Sequence, residues 1–298
     1  MGQAGATKRV IIAICVVVIG GLWFSYDKVH ASEVRDDVQR RAAAQEAQQD
    51  INQLTSQLTS AWTQTLETNP ADGNVDIAVY DSKTGATVHY TNAPANTTYN
   101  TASIIKMSIL EELLLENQKK GISGLTSSQL SEATPMIENS DNDAATALWS
   151  EVGDDAAMAG FFQQIGATNT TPGVEDQWGL TQTTALDQLK VVNELAYPKL
   201  LSASSVAAAD NLLNNVESSQ RWGVSSGLPS GVSVQLKNGW LQYNQGWNIN
   251  SIGHVHGDGV DYTIAVLTDQ NNTEQDGINT IQALSAATWN TINVATSN

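Results

Sequence analysis

Three short polar motifs contain the residues of this chain best suited to nucleophilic chemistry. The first runs from Ser103 to Lys106 and opens a predicted helix. A serine and a lysine three positions apart project from one helical face. The amine of Lys106 can therefore take the proton of the Ser103 hydroxyl if its pKa is lowered. Taken alone the motif is weak, because a surface serine and lysine on a helix are its usual explanation.

The other two motifs are triplets that follow in the order the chemistry needs. Ser-Asp-Asn at 140–142 falls at a predicted helix–loop–helix junction, where a plain turn and helix cap is the structural alternative. Lys-Asn-Gly at 237–239 follows the alternating strand 232–236. A lysine beside a cleft attracts a carboxylate, and a glycine permits close backbone approach. Its structural alternative is a strand that ends in a turn.

The predicted elements would bring these motifs to one cleft. Strands come from both ends of the chain, and helices fill the middle, which predicts an α+β fold. We expect an antiparallel sheet flanked by N- and C-terminal helices, plus an inserted all-helical lobe, with the cleft between lobes. The predicted elements are a helix over 31–69, a hairpin from 74, helices over 103–198, strands over 232–236, 253–256 and 262–268, and a helix over 277–292.

The first 30 residues have the pattern of an export segment. Lys8 and Arg9 precede an apolar run from Val10 to Phe24, which is intermediate in length between a signal peptide and a short membrane helix. We expect residues 1–30 to be a single-pass membrane anchor, with a cleaved signal and a secreted protein as the alternative. Residues 31–50 are predicted to be a helical stalk, and residues 51–298 the globular domain.

Composition excludes several classes of partner and cofactor. The formal net charge of −17 disfavours nucleic acid, and the lone Cys15 provides neither a disulfide framework nor a thiolate zinc site. His254 and His256 would share one face of a strand, which could suit a metal. Without an evident third ligand, a solvated strand end is the better interpretation. No cofactor and no metal are therefore predicted.

Together, the three motifs resemble those of class A β-lactamases and penicillin-binding proteins. The likeness extends from about Gln57 to the C-terminus. VDIAVYDSKTGATVHY and TASIIKMSIL look like the first hairpin and nucleophile helix of that family, and FFQQIGATNTT and TQTTALDQL look like its later helices. The resemblance implies an extracytoplasmic bacterial serine hydrolase, acylated by β-lactams or peptidoglycan-like amides or esters, that hydrolyses β-lactams slowly. A non-catalytic cell-surface module that binds cell-wall fragments is the alternative.

The resemblance also implies roles for individual residues. Ser103 would be the acylated nucleophile, Lys106 its proton acceptor, and Ser140 the relay to the leaving nitrogen. Backbone N–H groups of Ser103 and Trp240 would form the oxyanion hole. Asn238 stands where the family usually has threonine or serine, so an amide would replace a hydroxyl. The predicted substrate contacts are Asn142, Lys237, Asn238, Gly239 and Trp240.

The resembled family also uses a loop glutamate to activate the deacylating water. Glu175 lies nearest that role, followed by Asp176. The loop that would carry it is short, which favours an exposed turn over a positioned base. The sequence therefore predicts that acylation outpaces deacylation.

Overall fold

The computed structural model describes residues 4–244 and 246–295, with side chains described at 33 and from 35 onward. Helix α1 runs Ala4–Thr68, and the chain divides into two units, Met1–Asn52 and Gln53–Asn298. In the second unit, Leu54, Leu58 and Trp62 of α1 are buried at helical spacing. Trp62 Nε1 donates to Thr288 Oγ1 at 2.9 Å. This stripe joins α1 to the hydrophobic core of the second unit.

A five-stranded antiparallel sheet forms the centre of the second unit. Its strand order is β2-β1-β7-β6-β5, so strands from both ends of the unit lie side by side. The strands are β1 Val75–Asp81, β2 Thr87–Thr91, β5 Ser233–Tyr243, β6 Gly246–Gly257 and β7 Val260–Asn271. A separate pair joins β3 Tyr99–Asn100 to β4 Gln182–Thr183.

Helices fill the chain between the two groups of strands. Helix α2 is enclosed by the rest of the unit, because every residue from Ile105 to Leu115 is buried. A reciprocal cap between Thr126 and Gln129 begins α3. The helices after α1 are α2 Ile105–Lys119, α3 Ser127–Glu138, α4 Asn142–Val152, α5 Asp154–Gln164, α6 Ala185–Ala196, α7 Ala203–Leu213 and α8 Glu274–Ala295. The predicted α+β architecture is confirmed.

The β5–β6 hairpin is longer than the sequence predicted. Strands were expected over 232–236 and 253–256, whereas the paired strands reach Tyr243 and begin again at Gly246. Asn238, Asn250 and Ser251 are buried in the extension: Ser251 Oγ donates to Asn238 Oδ1, and the amide groups of Asn238 and Asn250 donate to backbone carbonyls. These polar residues do not show the alternation of apolar and polar residues that predicts a strand, so the sequence did not indicate the extension.

The N-terminal prediction receives no support from the structure. Among the described residues, no helix has both the length and the apolar character that crossing a membrane requires. The side chains of the predicted single-pass anchor, residues 1–30, lie outside the described part of the chain.

Candidate active site

Lys106 occupies the first turn of α2 and is completely buried. Its Nζ donates to Ser140 O at 2.6 Å, to Ser140 Oγ at 3.1 Å and to Asn142 Oδ1 at 2.8 Å. Burial lowers its pKa from 10.5 to about 7, opposed by the negative charge of Asp141. At neutral pH a substantial fraction of Lys106 is therefore uncharged and able to accept a proton.

Ser140 lies in the tight junction between α3 and α4. Its φ of 60° places a residue with a side chain in the left-handed region, a strained conformation that is concentrated at functional sites. The next residue, Asp141, caps α4 by accepting from Ala144 N at 2.8 Å. The cap fixes the junction, and the Ser140 hydroxyl accepts hydrogen bonds from Lys106 on α2 and from Lys237 on β5.

Lys237 is the second of these lysines and lies on β5. It is fully buried, and its Nζ donates to Ser140 Oγ at 3.0 Å and to Asn238 O at 3.1 Å. Burial, and then the charge of Lys106, lower the pKa of Lys237 well below 10.5. Two amines therefore converge on one hydroxyl in a desolvated site. An anion entering this site would relieve their repulsion.

Ser103 lies in a short 3-10 turn, Ala102–Ile104, directly before α2. Ala102 has a φ of 47°, so the turn itself is in an unfavourable backbone conformation. Strand β5 passes so close that a Cβ added to Gly239 would lie 2.7 Å from Ser103 N. Only glycine fits there. Within the described contacts, Lys106 Nζ donates to Ser140 and Asn142 and not to Ser103 Oγ.

The structure corrects the role predicted for Asn238. Its Nδ2 donates to Gln220 O at 2.7 Å and to Trp222 O at 3.1 Å, and its Oδ1 accepts from Ser251 Oγ at 2.6 Å. The side chain is 1% exposed. Both amide hydrogens are thus used inside the protein, and Asn238 anchors the 220–222 loop instead of reaching a substrate. A strand alternates its side chains, so Asn238 points away from the face of Lys237.

Glu175 lies on an exposed turn, as the short loop suggested. Gln177 N donates to Val174 O at 3.1 Å across the turn, and the φ of Glu175 is 52°. The residue of this loop that faces Lys106 is Trp178, whose ring centroid lies 5.0 Å from Lys106 Nζ. Trp178 Nε1 donates to Thr146 Oγ1 at 3.1 Å, which fixes the indole. Sequence reasoning missed Trp178, because a buried tryptophan is ordinarily a core residue.

Two aromatic rings lie beside the Lys-Asn-Gly triplet. Trp240, which follows it on β5, is half-buried and packs against Trp222 with 6.0 Å between ring centroids. Trp222 belongs to the loop that Asn238 anchors. No signal in the sequence linked Trp222 to this site, since it lies 15 or more residues from each motif. Trp240 lies two residues after Asn238 on β5, so this aromatic pair lies on the Asn238 face of the strand, opposite Lys237.

The histidine pair lies at the other end of the β5–β6 hairpin from the loop that joins its strands. His254 Nε2 is 2.7 Å from Asp261 Oδ1, and the rings of His254 and His256 are 4.8 Å apart. In the part of the chain that the structure describes, no three histidine, cysteine, aspartate or glutamate side chains are placed to hold a metal ion. Tyr197 Oη also donates to Asp261 at 2.7 Å, which makes the pair part of a polar packing cluster.

Comparison with known proteins identifies the family. The sequence profile of the beta-lactamase enzyme family matches residues 117–292. The chain belongs to this family. The matched region contains the triplets at 140–142 and 237–239, and the Ser103–Lys106 motif lies just before it.

Two mycobacterial proteins are similar to this chain in sequence, and several solved structures are similar to it in fold. “Putative lipoprotein LppW” of Mycobacterium bovis and of Mycobacterium tuberculosis are each 26% identical over 178 residues, or 56% of this chain and 54% of theirs. The chain thus spans about half the length of these curated relatives. A class A β-lactamase from Bacteroides cellulosilyticus superposes with a TM-score of 0.70 at 17% identity, covering 81% of this chain and 99% of that one. The structure of PBP-A gives 0.68 at 17% identity, covering 79% and 97%. At such identities these two structures support the fold alone.

Proposed function

We propose that this protein is an exported serine hydrolase, acylated on Ser103 by β-lactams or by peptidoglycan-like amides or esters. One observation carries the proposal. A buried lysine with a pKa of about 7 shares the Ser140 hydroxyl with Lys237, directly beside the turn that holds Ser103. A protein that only bound wall fragments would need no such nucleophile and base.

In the proposed reaction, neutral Lys106 takes the proton of Ser103 Oγ as that oxygen attacks the substrate carbonyl carbon. Backbone N–H groups of Ser103 and Trp240 stabilise the resulting oxyanion. Collapse of the intermediate breaks the carbon–nitrogen bond, and Ser140 Oγ gives its proton to the leaving nitrogen. Lys106 then returns the first proton to Ser140 across their 3.1 Å hydrogen bond, leaving an acyl ester on Ser103.

Lys237 is proposed to attract a carboxylate on the substrate. Its burial disfavours the ammonium form, and a bound carboxylate would restore that form by direct attraction. Asn142, which is exposed and already accepts from Lys106, is proposed to contact the substrate as well.

Deacylation is proposed to be slow. Hydrolysis of the ester needs a base that holds a water molecule, and a misplacement of about 1 Å can cost on the order of 100-fold in rate. The indole of Trp178 faces Lys106, whereas Glu175 lies on an exposed turn. An indole is only a hydrogen-bond donor, so Trp178 cannot activate water.

Replacing Glu175 by glutamine should therefore leave turnover unchanged within about twofold. The measurement is single-turnover kinetics with nitrocefin, in which a burst is followed by slow release. Asp176→Asn tests the second candidate base from the same turn, and Glu132→Gln, at an exposed position on α3, is the control. Fast steady-state hydrolysis that collapses in Glu175→Gln alone would contradict the assignment of slow deacylation and would make Glu175 the base.

Fluorescent penicillin tests the function directly. The purified full chain is expected to carry the label through denaturing electrophoresis, because an acyl ester is covalent. A mutant of PBP-A, a protein of similar fold, has been solved as an acyl-enzyme complex with penicillin G. Label that washes out on denaturation would favour the alternative, a non-catalytic module that binds wall fragments.

The protein is proposed to act outside the cytoplasm. The basic residues followed by an apolar run near the N-terminus, and the name of the mycobacterial relatives, support this location. Protease added to intact cells is expected to degrade the domain from Gln53 onward. Protection of that domain in intact cells, with degradation only after lysis, would contradict export.

A further inference from the structure

A polar cavity of about 810 Å³ lies between the β3–β4 pair and the joined ends of β5 and β6. It is separate from the lysine–serine cluster, and none of the proposed catalytic residues is among its described lining residues. Amide and hydroxyl side chains dominate its walls, namely Thr98, Asn100, Gln182, Tyr243, Asn244, Asn248 and Gln270. A cavity of this size accommodates a small ligand or one segment of a longer ligand.

Asn248 gives this cavity an unsatisfied donor. The side chain is only 6% exposed, and its Oδ1 accepts from Asn100 Nδ2 at 3.0 Å. In the described part of the chain, its Nδ2 donates to no acceptor, although the residue lines the cavity. Nδ2 is not among the fully buried side-chain atoms that lack a partner, so it faces the cavity and is free to donate a hydrogen bond to a ligand there.

Neighbouring amides hold Asn248 in a fixed orientation. Gln182 Nε2 donates to Asn100 Oδ1, and Thr98 Oγ1 donates to Gln182 Oε1 at 2.9 Å. The chain of hydrogen bonds thus runs from Thr98 through Gln182 and Asn100 to Asn248. Side chains that are oriented before a ligand arrives lose little conformational freedom on binding it.

The charges around the cavity disfavour anionic ligands. Among the described residues of its wall, Asp269 is the one that carries a charge, and Asn74 Nδ2 already donates to its Oδ1 at 2.9 Å. The formal net charge of the whole chain, −17, adds to the repulsion. A ligand recognised here therefore has neutral groups that both donate and accept hydrogen bonds.

Tyr243 supplies the remaining element of recognition. Its side chain is 41% exposed at the end of β5, so an apolar ring face is open beside the amides. Neutral amides that pair with hydroxyl and acetamido groups, together with an exposed aromatic face for the C–H surface of a sugar ring, suit a saccharide. A peptide is less well matched, since amide and hydroxyl groups dominate the described walls and offer little apolar surface for side chains.

Two residues that line the cavity, Asn100 and Leu180, lie close along the chain to residues of the proposed active site. Asn100 precedes Ser103 by three residues, and Leu180, which also lines the cavity, follows Trp178 by two. We propose that the cavity binds an uncharged saccharide, and that in the substrate this saccharide is the glycan part of a peptidoglycan-like molecule. The second half of this proposal depends on the proposed function, whereas saccharide binding itself does not.

The test is calorimetric titration of the full chain with the tetrasaccharide of N-acetylglucosamine. Wild-type protein is expected to bind it, and Tyr243→Ala and Asn248→Asp are each expected to raise the Kd at least tenfold. Asn248→Asp keeps the acceptor for Asn100 and removes the Nδ2 donor. Tyr90→Ala, on β2 at the opposite edge of the sheet, is the matched control and should bind like wild type.

The melting temperature of every variant is measured to show that it is folded, and labelling with fluorescent penicillin is measured separately as the test of the proposed hydrolase. No detectable binding by wild type, equal affinity in both cavity variants, or binding of a neutral acetylated tetrapeptide in preference to the saccharide would overturn the proposal. Saccharide binding without penicillin labelling would uphold the cavity and refute the proposed hydrolase. Penicillin labelling without saccharide binding would support the proposed hydrolase and refute saccharide binding in the cavity.

Discussion

Replacement of Ser103 by alanine is expected to abolish acylation by β-lactams. Removing the nucleophile of a serine hydrolase lowers the rate on the order of 10⁶-fold, because its base and oxyanion hole have no reacting oxygen left to act on. Intact-mass spectrometry after penicillin treatment should show the adduct on wild type and none on Ser103→Ala. Ser103 is partly exposed on its turn, so the loss of one oxygen should not unfold the protein.

Ser131→Ala is the matched control for this experiment. Ser131 is exposed on α3, and its Oγ donates to Ser127 O of the same helix. It should acylate like wild type. An adduct of unchanged mass on folded Ser103→Ala protein would show that another residue is the nucleophile, and peptide mapping would then locate it.

Replacement of Lys106 by methionine is expected to lower the acylation rate about 10²- to 10⁴-fold, the usual contribution of a general base. In wild type, the acylation rate should rise with pH through about 7, because only the neutral amine accepts the proton of Ser103. Stopped-flow acylation measured from pH 5.5 to pH 9 gives this profile. A rate independent of pH across that range would exclude Lys106 as the base.

The same substitution should stabilise the fold. The pKa of Lys106 is about 7 in the folded protein and 10.5 for an ordinary lysine, so the unfolded chain binds more protons between these values. The free energy of unfolding of wild type therefore increases with pH between about 7 and 10.5. Below pH 7, the full cost of burying a charged Lys106 destabilises the folded protein. Lys106→Met should melt at a higher temperature than wild type at pH 6, by a margin that narrows toward pH 9.

Lys119→Met separates this effect from a general effect of losing a lysine. Lys119 lies at the exposed end of the same helix and pairs with Glu116 at 2.8 Å. Its removal should lower the melting temperature slightly or leave it unchanged, since exposed pairs contribute little. If Lys106→Met also melts at or below the wild-type temperature at pH 6, the hydrogen bonds that Lys106 donates to Ser140 and Asn142 outweigh the cost of burying its charge, and the predicted stabilisation is wrong.

The sequence by itself determined the features that depend on short-range rules. Within the helix predicted over 31–69, Leu54, Leu58 and Trp62 recur at helical spacing and are buried, and Thr126 with Gln129 three residues later has the pattern of the capping box that begins α3. The order of helices and strands predicted the α+β class, since antiparallel strands from both chain ends can share a sheet. Each of these follows from local periodicity and capping, which act over a few residues.

Only the tertiary structure decided how the site is assembled. Lys106 and Lys237 reach Ser140 across 34 and 97 residues of chain, and the resulting burial lowers their pKa values. The same packing placed Trp178 against Lys106 and turned the amide of Asn238 toward backbone carbonyls. A residue's type gives its possible hydrogen bonds, but its neighbours across the fold determine its solvation and its partners. For this reason the motifs predicted the chemistry of the site, while its electrostatics depend on the packed structure.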